Sequence, residues 1–180
     1  MSLVTNVELS HLRRGRVWIG ELPDVSYISI SAVNLNCDAS RSIQEEIRVG
    51  AVEVLIPTGG RYLYGLVGGT FRADVTGKFC ADVGISAPDL GVWEDSLASR
   101  VDRVHKGLLQ EYAPAVIRGL EQENGNLTSG YINVNCAAHA EVGSAQVVFK
   151  YLGAALWRLF GLADAAPSNQ QLVDLFPTLG

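Results

Sequence analysis

The chain has 180 residues, of which 48% are hydrophobic and 18% are charged, and this composition suits a single domain with a sizeable core. The formal net charge of −5 opposes binding to nucleic acid unless basic side chains cluster locally, and it disfavours DNA as a partner. No apolar run approaches the roughly 20 residues of a membrane helix, so we expect no membrane partner. The first residues lack the pattern of a secretory signal, and we expect a cytoplasmic protein.

The N-terminal segment holds the basic cluster of the sequence, HLRRGR at 11–16. Arginines close to a terminus are more typical of a solvated segment than of a phosphate-binding patch. We therefore expect residues 1–16 to form an N-terminal arm and residues 161–180 to form a C-terminal tail. Both would belong to one domain that spans 1–180.

The first strand patterns lie between residues 27 and 57. The run YISISAVNLNC at 27–37 alternates between apolar and polar residues, but the apolar positions change parity near Ala32. Such a change predicts either a β-bulge or two strands that face different layers. The run AVEVLIP at 51–57 predicts a short apolar strand that ends at Pro57 and the following glycines.

An exposed turn is predicted at Gly59, Gly60 and Arg61, because glycines relieve the strain of positive φ at a chain reversal. The segment from 62 to 85 then predicts a long hairpin with a three-residue loop at 75–77, and Gly77 takes the position that needs positive φ. The pairs expected in this register are Ala73 with Phe79 and Asp74 with Lys78.

Helical patterns begin near Gly91. Apolar residues at three- and four-residue spacing predict a core-facing helix, and they are Trp93, Leu97, Val101, Val104 and Leu108. Pro114 is expected to break or kink this helix, and a second helical segment carries Val116, Ile117 and Leu120. The run YINVNCAA at 131–138 then predicts a half-buried strand whose inward residues are Ile132, Val134, Cys136 and Ala138.

The last long helix is predicted from Ser144, its N-cap, to Phe160, and a short tail helix is predicted between Ser168 and Pro177. One face of the long helix suffices to cover the sheet, which leaves three aromatic residues on other sides: Phe149, Tyr151 and Trp157. Either the tail covers them, through Leu172, Leu175 and Phe176, or a second copy of the chain does. We favour a homodimer with these three aromatic residues at its interface.

The sequence shows no recognisable catalytic constellation. Cys136 and His139 have an odd separation along a strand, so they are expected on opposite faces. The cysteines Cys37, Cys80 and Cys136 have no spacing typical of a metal or redox site, and we interpret them as small core residues. No two histidines stand four residues apart on a helix. We therefore predict no catalytic residue, no metal and no cofactor.

Four segments of the sequence resemble domain IV of translation elongation factor G and its eukaryotic counterpart, elongation factor 2. The family pattern T-G-G-R-x-x-Y-G-x-V is met by Thr58, Gly59, Gly60, Arg61, Tyr64, Gly65 and Val67. The pattern E-Y-x-P-A-V-x-x-G is met by Glu111, Tyr112, Pro114, Ala115, Val116 and Gly119. Gly130 precedes the next strand, and the last segment supplies Glu141, Val142, Ser144, Phe149 and Lys150. The matched span covers about residues 58–160.

The resemblance implies an α+β fold in which a β-sheet is backed by helices on one face. It is the superfold shared with the second domain of a small-subunit ribosomal protein, and it includes a left-handed βαβ crossover, which departs from the usual hand. In the family the first motif forms a loop at the tip of the domain, near RNA. The groups implied to contact RNA here are Gly59, Gly60, Arg61, Tyr62 and Tyr64.

Three functions stay open at this point. The chain could be a non-catalytic interaction protein that forms a homo-oligomer, which the apolar helix at 144–160 favours. It could be a ribosome- or RNA-associated factor that acts through the tip at 58–64. It could also be an enzyme on the same superfold, because one fold hosts many activities.

Overall fold

The computed structural model describes residues 1–178, apart from the side chain of Asn124. Its eight strands are β1 (Leu3–Glu8), β2 (Arg14–Ile19), β3 (Ser31–Asp38), β4 (Ile47–Thr58), β5 (Arg61–Ala73), β6 (Lys78–Ile85), β7 (Val104–Lys106) and β8 (Gly130–Ala140). The helices are α1 (Ala113–Gln122), α2 (Gln146–Phe160) and α3 (Asn169–Asp174), and a 3-10 turn covers Asn124–Asn126.

The strands form one mixed sheet in the order β1-β2-β4-β5-β8-β6-β3, with β7 paired to β8. All pairs are antiparallel except β6 and β8, which are parallel. Helices α1 and α2 pack on the same face of this sheet and share one hydrophobic core with it. The predicted α+β class, a sheet backed by helices on one face, is therefore confirmed. Among the described residues, none of the helices has both the length and the apolar character needed to cross a membrane.

The N-terminal segment is part of the sheet, so the predicted arm at 1–16 is wrong. Strands β1 and β2 pair as an antiparallel hairpin, and β2 pairs in turn with β4. Alternating burial holds the segment in place, since Val7 and Val17 are each only 1% exposed. Within β2, Arg14 and Arg16 alternate with the buried Gly15 and Val17, so these arginines lie on one face of a strand and not in a solvated arm.

The predicted hairpin at 62–85 is also wrong, although both of its strands exist. Strand β8 lies between β5 and β6, and Gly130 stands opposite Ala73 on one side and Phe79 on the other. Gly77 has a φ of +78°, as the turn prediction required. The turn is therefore right and the pairing is wrong, because a distant strand inserts between two strands that are neighbours in sequence.

Residues 91–108 do not form the predicted core-facing helix. They make a series of turns followed by β7, and Val101 is half exposed. Together with residues near Val25, this segment covers the second face of the sheet, where Trp93 and Ala98 are buried against Trp18. The apolar spacing reflects contacts of an irregular segment with the sheet, which periodicity does not distinguish from a helical stripe.

The two long helices contact each other closely at their glycines. A Cβ atom on Gly119 would lie 2.1 Å from the carbonyl oxygen of Lys150, and one on Gly153 would lie 2.4 Å from that of Val116. Pro114 lies in the first turn of α1, where its missing N–H costs no hydrogen bond, so it starts this helix and breaks no other. The predicted helical segment after Pro114 is confirmed.

Strand β8 changes face at a β-bulge near Asn135. Gly68 pairs with Cys136, while the next residue of β5, Gly69, pairs with Val134. Ile132 and Val134 consequently lie in the helix-side core, and Cys136 and Ala138 lie in the core on the second face. The predicted strand is confirmed, but its inward residues serve two different layers.

The change of parity within 27–37 was interpreted as a bulge or as two strands, but it has a simpler cause. Strand β3 begins only at Ser31, and the residues before it cross the second face, where Ser26 makes an isolated bridge to Cys136. Ile28 is 93% exposed and Ile30 is 67% exposed. The parity changes because the chain enters the sheet at this point.

The three aromatic residues assigned to a dimer interface are buried within one chain: Phe149 is 0%, Tyr151 5% and Trp157 4% exposed. Phe149 stacks on Tyr112 at a ring distance of 4.5 Å, and Tyr151 lies 6.3 Å from Phe176 of the tail. These residues therefore cannot form the contact between copies. The alternative prediction, in which the tail contributes to their cover, is the one that the fold supports.

Trp157 is covered by the sheet. Its ring meets Phe71 of β5 at 5.1 Å and Phe79 of β6 at 5.0 Å, both in edge-to-face geometry.

The tail helix α3 begins at the predicted cap, because Ser168 and Gln171 form a capping box. The long helix α2 begins at Gln146 with Ala145 as its N-cap, so Ser144 is not the cap that its position suggested.

Candidate functional site at the β4–β5 tip

The turn between β4 and β5 projects from the sheet as a tight hairpin. Thr58 and Arg61 form the last pair, and Gly59 and Gly60 between them have φ values of +57° and +93°. Positive φ at both central residues is typical of the hairpin turn that matches strand twist. A Cβ atom on either glycine would meet nothing within 4 Å, so conformation and not space requires glycine here. The predicted exposed turn is confirmed.

The residues implied to contact RNA divide into two groups. Gly59, Gly60 and Arg61 are exposed, and Tyr62 is 43% exposed. The Arg61 guanidinium makes no hydrogen bond or ion pair with any described residue. Tyr64, in contrast, is 0% exposed, because strand alternation turns it into the core on the second face. Tyr64 is therefore removed from the predicted contact set.

A cleft of about 870 Å³ lies beside the tip. Two other segments complete its walls: the end of the irregular segment at 101–102 and the loop at 142–145. We call this space the tip cleft. Its lining residues are Thr58, Gly60, Arg61, Tyr62, Leu63, Val101, Asp102, Val142, Gly143, Ser144 and Ala145.

Hydrogen bonds fix the 142–145 loop against the hairpin. The Tyr64 amide donates to the carbonyl oxygen of Gly143 at 2.9 Å, and the Ser144 hydroxyl donates to the carbonyl oxygen of Tyr64 at 2.7 Å. The Ser144 hydroxyl also accepts from the Ala140 amide at 2.8 Å. Ser144 thus ties the end of β8 to the hairpin, which explains why it does not cap α2.

Asp102 holds the third wall of the tip cleft. One of its carboxylate oxygens accepts from the amide of Gly143 at 2.7 Å and from that of Val142 at 3.2 Å. The negative charge of Asp102 is therefore bound by backbone amides of the protein itself. Among the described residues of the cleft, Arg61 is the cation, and its side chain is available to a ligand.

The N-terminus of α2 opens at the same place. Ala145 offers no side-chain acceptor to the first amides of the helix, and its first turn contains no acidic residue. The first-turn amides and the helix dipole make this end electropositive.

Val101 is 50% exposed and Val142 is 83% exposed, so the rim of the cleft is apolar. The tip cleft thus combines one free guanidinium, one exposed aromatic ring and an apolar rim.

A buried charge network lies beneath the tip, between β2, β4 and β5. The Glu53 carboxylate, 0% exposed, pairs with the Arg16 guanidinium at 2.8 Å. It accepts from the Tyr64 hydroxyl at 2.8 Å and from the Leu97 amide at 2.9 Å. Burial raises the pKa of Glu53 above its ordinary value, while the Arg16 charge and these hydrogen bonds act against the rise. Burial likewise raises the pKa of Tyr64.

Two tryptophans hold the cation of this network. The Arg16 guanidinium lies 4.7 Å from the ring centroid of Trp18 and 5.5 Å from that of Trp93. Since Glu53 also binds the Leu97 amide, the network fastens the irregular segment to the sheet, and that segment carries Asp102 to the tip cleft. Sequence reasoning missed it, although a single glutamate inside the apolar run 51–57 was a usable signal.

Two of the three histidines, His105 on β7 and His139 on β8, form a second polar cluster. The rings of His105 and His139 stack at 5.6 Å, and His105 Nε2 lies 3.2 Å from Glu141. His139 Nδ1 lies 2.9 Å from the carbonyl oxygen of Gly107, and burial lowers the pKa of this histidine. Within residues 1–178, no group of three or more His, Cys, Asp or Glu residues is placed to hold a metal ion.

Cys136 and His139 lie on different faces of β8, as predicted. The thiol is in the core on the second face, while the imidazole contacts Tyr112 on the helix side. Burial raises the pKa of Cys136 to about 12, so the thiol is a core group and not a nucleophile. The three cysteines are free.

Comparisons with models of protein families, with curated proteins and with solved structures returned no match to this chain. The resemblance to domain IV of elongation factor G therefore stays a prediction drawn from the sequence motifs. Function has to be inferred from the geometry of the tip cleft and its surroundings.

Proposed function

We propose that the chain is a non-catalytic RNA-binding module that contacts single-stranded RNA through the tip cleft. The observation that carries this proposal is the free Arg61 guanidinium beside the exposed ring of Tyr62, on a projecting hairpin. The sequence resemblance supports the same region, because its first motif supplies the hairpin. A cytoplasmic location belongs to this proposal, and so does a ribosomal RNA as the partner, which the resemblance implies.

The chemistry of the tip suits one or two nucleotides. A guanidinium presents a planar fork of donors that matches phosphate geometry. An exposed tyrosine ring offers a face on which a base can stack, and such stacking tolerates any base sequence. The two glycines allow an RNA backbone to approach the turn closely, since neither has a side chain to exclude it.

The electrostatics predict weak and salt-dependent binding. The chain carries a net charge of −5, so its long-range field does not assist association with a polyanion. The local contribution comes from Arg61 and from the N-terminus of α2, because Asp102 is occupied by backbone amides. Each phosphate neutralised on a single strand contributes about 0.7 to the slope of log affinity against log salt, so a small slope is expected.

The test is fluorescence anisotropy with a short, labelled single-stranded RNA of mixed sequence, titrated at several salt concentrations. Arg61→Ala is expected to weaken binding roughly tenfold and to lower the salt slope by about 0.7. Tyr62→Ala is expected to weaken binding without changing the slope, since it removes stacking and no charge. Arg72→Ala is the matched control, because Arg72 is an exposed arginine of the same strand, near its other end.

Equal effects of Arg61→Ala and Arg72→Ala would contradict the proposal, because they would show a non-specific loss of positive charge. Unchanged affinity in the Arg61 variant would remove the tip as the RNA contact. Binding of an RNA duplex in preference to the single strand would contradict the stacking role of Tyr62.

A further inference from the structure

The outer edge of strand β3 is free for pairing. β3 is the last strand of the sheet and, within the described residues, pairs only with β6 over Ser31–Asp38. An edge strand presents a row of unpaired amides and carbonyls, which makes it a template for another strand. Proteins that stay monomeric usually protect such an edge.

Strand β3 lacks the usual protection. Its sequence, SAVNLNCD, contains no proline and no lysine, and its pairing with β6 is regular over all eight residues. The one charge of the strand is Asp38 at its end, which pairs with Lys78 of β6 at 2.5 Å. The middle of the edge is therefore uncharged and regular, which favours strand addition.

An incomplete apolar layer runs along this edge. Val33, Leu35 and Cys37 face the helix side, where they pack against the main core but stay partly exposed. Ile28 and Ile30, just before the strand, are 93% and 67% exposed. A strand added beside β3 would continue the sheet and cover the row of Val33, Leu35 and Cys37.

We propose that a second copy of the chain pairs with β3 in antiparallel orientation, about a two-fold axis at Leu35. The strand is self-complementary in this register. Asn34 meets the partner's Asn36 on the polar face, Val33 meets the partner's Cys37 on the apolar face, and Asp38 meets the partner's Ala32. Like charges do not meet. The Asn34 amide nitrogen already donates to Asp82 of β6, and its side-chain oxygen can accept from the partner's Asn36.

The other edge of the sheet fits a partner less well. Strand β1 has six residues against the eight of β3, and Val7 of its helix-side row is already buried. Thr5 interrupts the apolar character of that row, and helix α3 already contacts this strand. The proposed partner therefore occupies β3, and β1 serves as the internal control.

The mass in solution tests the proposal by light scattering on the untagged full chain at micromolar concentration. The wild type is expected at twice the chain mass of 19.3 kDa. The variant Asn34→Lys with Asn36→Lys is expected to be monomeric, because lysines would then face lysines across the axis. The control, Val4→Lys with Asn6→Lys, places the same change on β1 and is expected to stay dimeric.

Cysteine crosslinking provides a readout that does not depend on the double variant folding. Leu35→Cys places two thiols next to each other at the axis, so mild oxidation is expected to give a covalent dimer on a non-reducing gel. Thr5→Cys on β1 and the wild type are expected to stay uncrosslinked. A monomeric wild type, a dimer that survives the β3 lysines in folded protein, or crosslinking at position 5 instead of 35 would each overturn the proposal.

Discussion

Replacing Glu53 by glutamine tests the role of the buried charge network most sharply. Glutamine keeps the size of the side chain and an acceptor for the Leu97 amide, but it removes the charge that pairs with Arg16 at 2.8 Å. The guanidinium would then stay beside Trp18 and Trp93 with only the exposed carboxylate of Asp95, 3.6 Å away, as its anion. The substitution therefore removes the charge and also the hydrogen bond from Arg16, because the amide nitrogen donates where a carboxylate oxygen accepted.

The expected loss follows from the burial of the pair. Removing one partner of a buried ion pair costs about 3–5 kcal/mol of unfolding free energy. The Arg16 side chain is 13% exposed and keeps its contacts with two indole rings, so we expect the lower end, about 3 kcal/mol. For a chain of this size, that loss lowers the melting temperature by about 6–12 °C.

Urea unfolding followed by circular dichroism measures this loss, and a double-mutant cycle isolates the pair. Arg16→Met alone should destabilise more than Glu53→Gln, because it leaves a carboxylate that is 0% exposed without its cation. The double variant should be less destabilised than the sum of the two, by about 0.5–3 kcal/mol. Asp38→Asn, which breaks the exposed pair with Lys78, should leave the midpoint unchanged. A loss below about 1 kcal/mol for Glu53→Gln, or additive single variants, would refute the reasoning.

Three further predictions concern helix packing, pH and thiol reactivity. Gly153→Ala should destabilise the fold by about 1–3 kcal/mol, since its Cβ would lie 2.4 Å from the Val116 oxygen. Gly125→Ala is the control and should not destabilise it, because the space around Gly125 is open. Urea unfolding midpoints of the two variants measure the difference. Burial lowers the pKa of His139, so on acidification the unfolded state binds a proton at this histidine before the folded state does. The unfolding free energy therefore decreases as the pH falls below about 6.5. His139→Gln should accordingly shrink the drop in urea midpoint between about pH 7.5 and about pH 5.5. A thiol reagent should modify Cys136 only in urea, as mass spectrometry of the labelled peptide can show.

Local pattern predicted the elements that follow one simple period. The strand at 131–138, the helical segment after Pro114 and the capped tail helix at Ser168 all exist. Each has a regular apolar period or a capping signal within a few residues. Their identity is a local property, so the sequence was sufficient for them.

The errors came from contacts between residues that are distant in sequence. Neither the turn at Gly77 nor the alternation around it indicates that β8 inserts between β5 and β6. The stripe from Trp93 to Leu108 matched a helix by its spacing alone. Trp93 and Val104 lie in the core on the second face, Leu108 lies in the helix-side core, and Val101 is exposed. Which face such residues meet depends on the rest of the fold.

The candidate site was predictable in part. The exposed turn at Gly59 and Gly60 followed from the need for positive φ, and Arg61 was identified with it. The other walls of the tip cleft were not predicted, because Asp102 reaches it from a segment whose path depends on Glu53. Asp102 and the turn at 58–61 are far apart in the sequence, so local patterns do not reveal that they line the same cleft.

Hydrogen–deuterium exchange of the full chain with and without saturating single-stranded RNA is the most direct test of the tip as an RNA contact. Protection is expected at 58–64 and at 141–147, which include two walls of the tip cleft, and not at 70–78 near Arg72. At an RNA concentration close to the wild-type dissociation constant, Arg61→Ala should reduce that protection while it leaves exchange of the free protein unchanged elsewhere. No protection at saturating RNA, or protection confined to regions other than the tip, would contradict the assignment of the tip cleft as the RNA site.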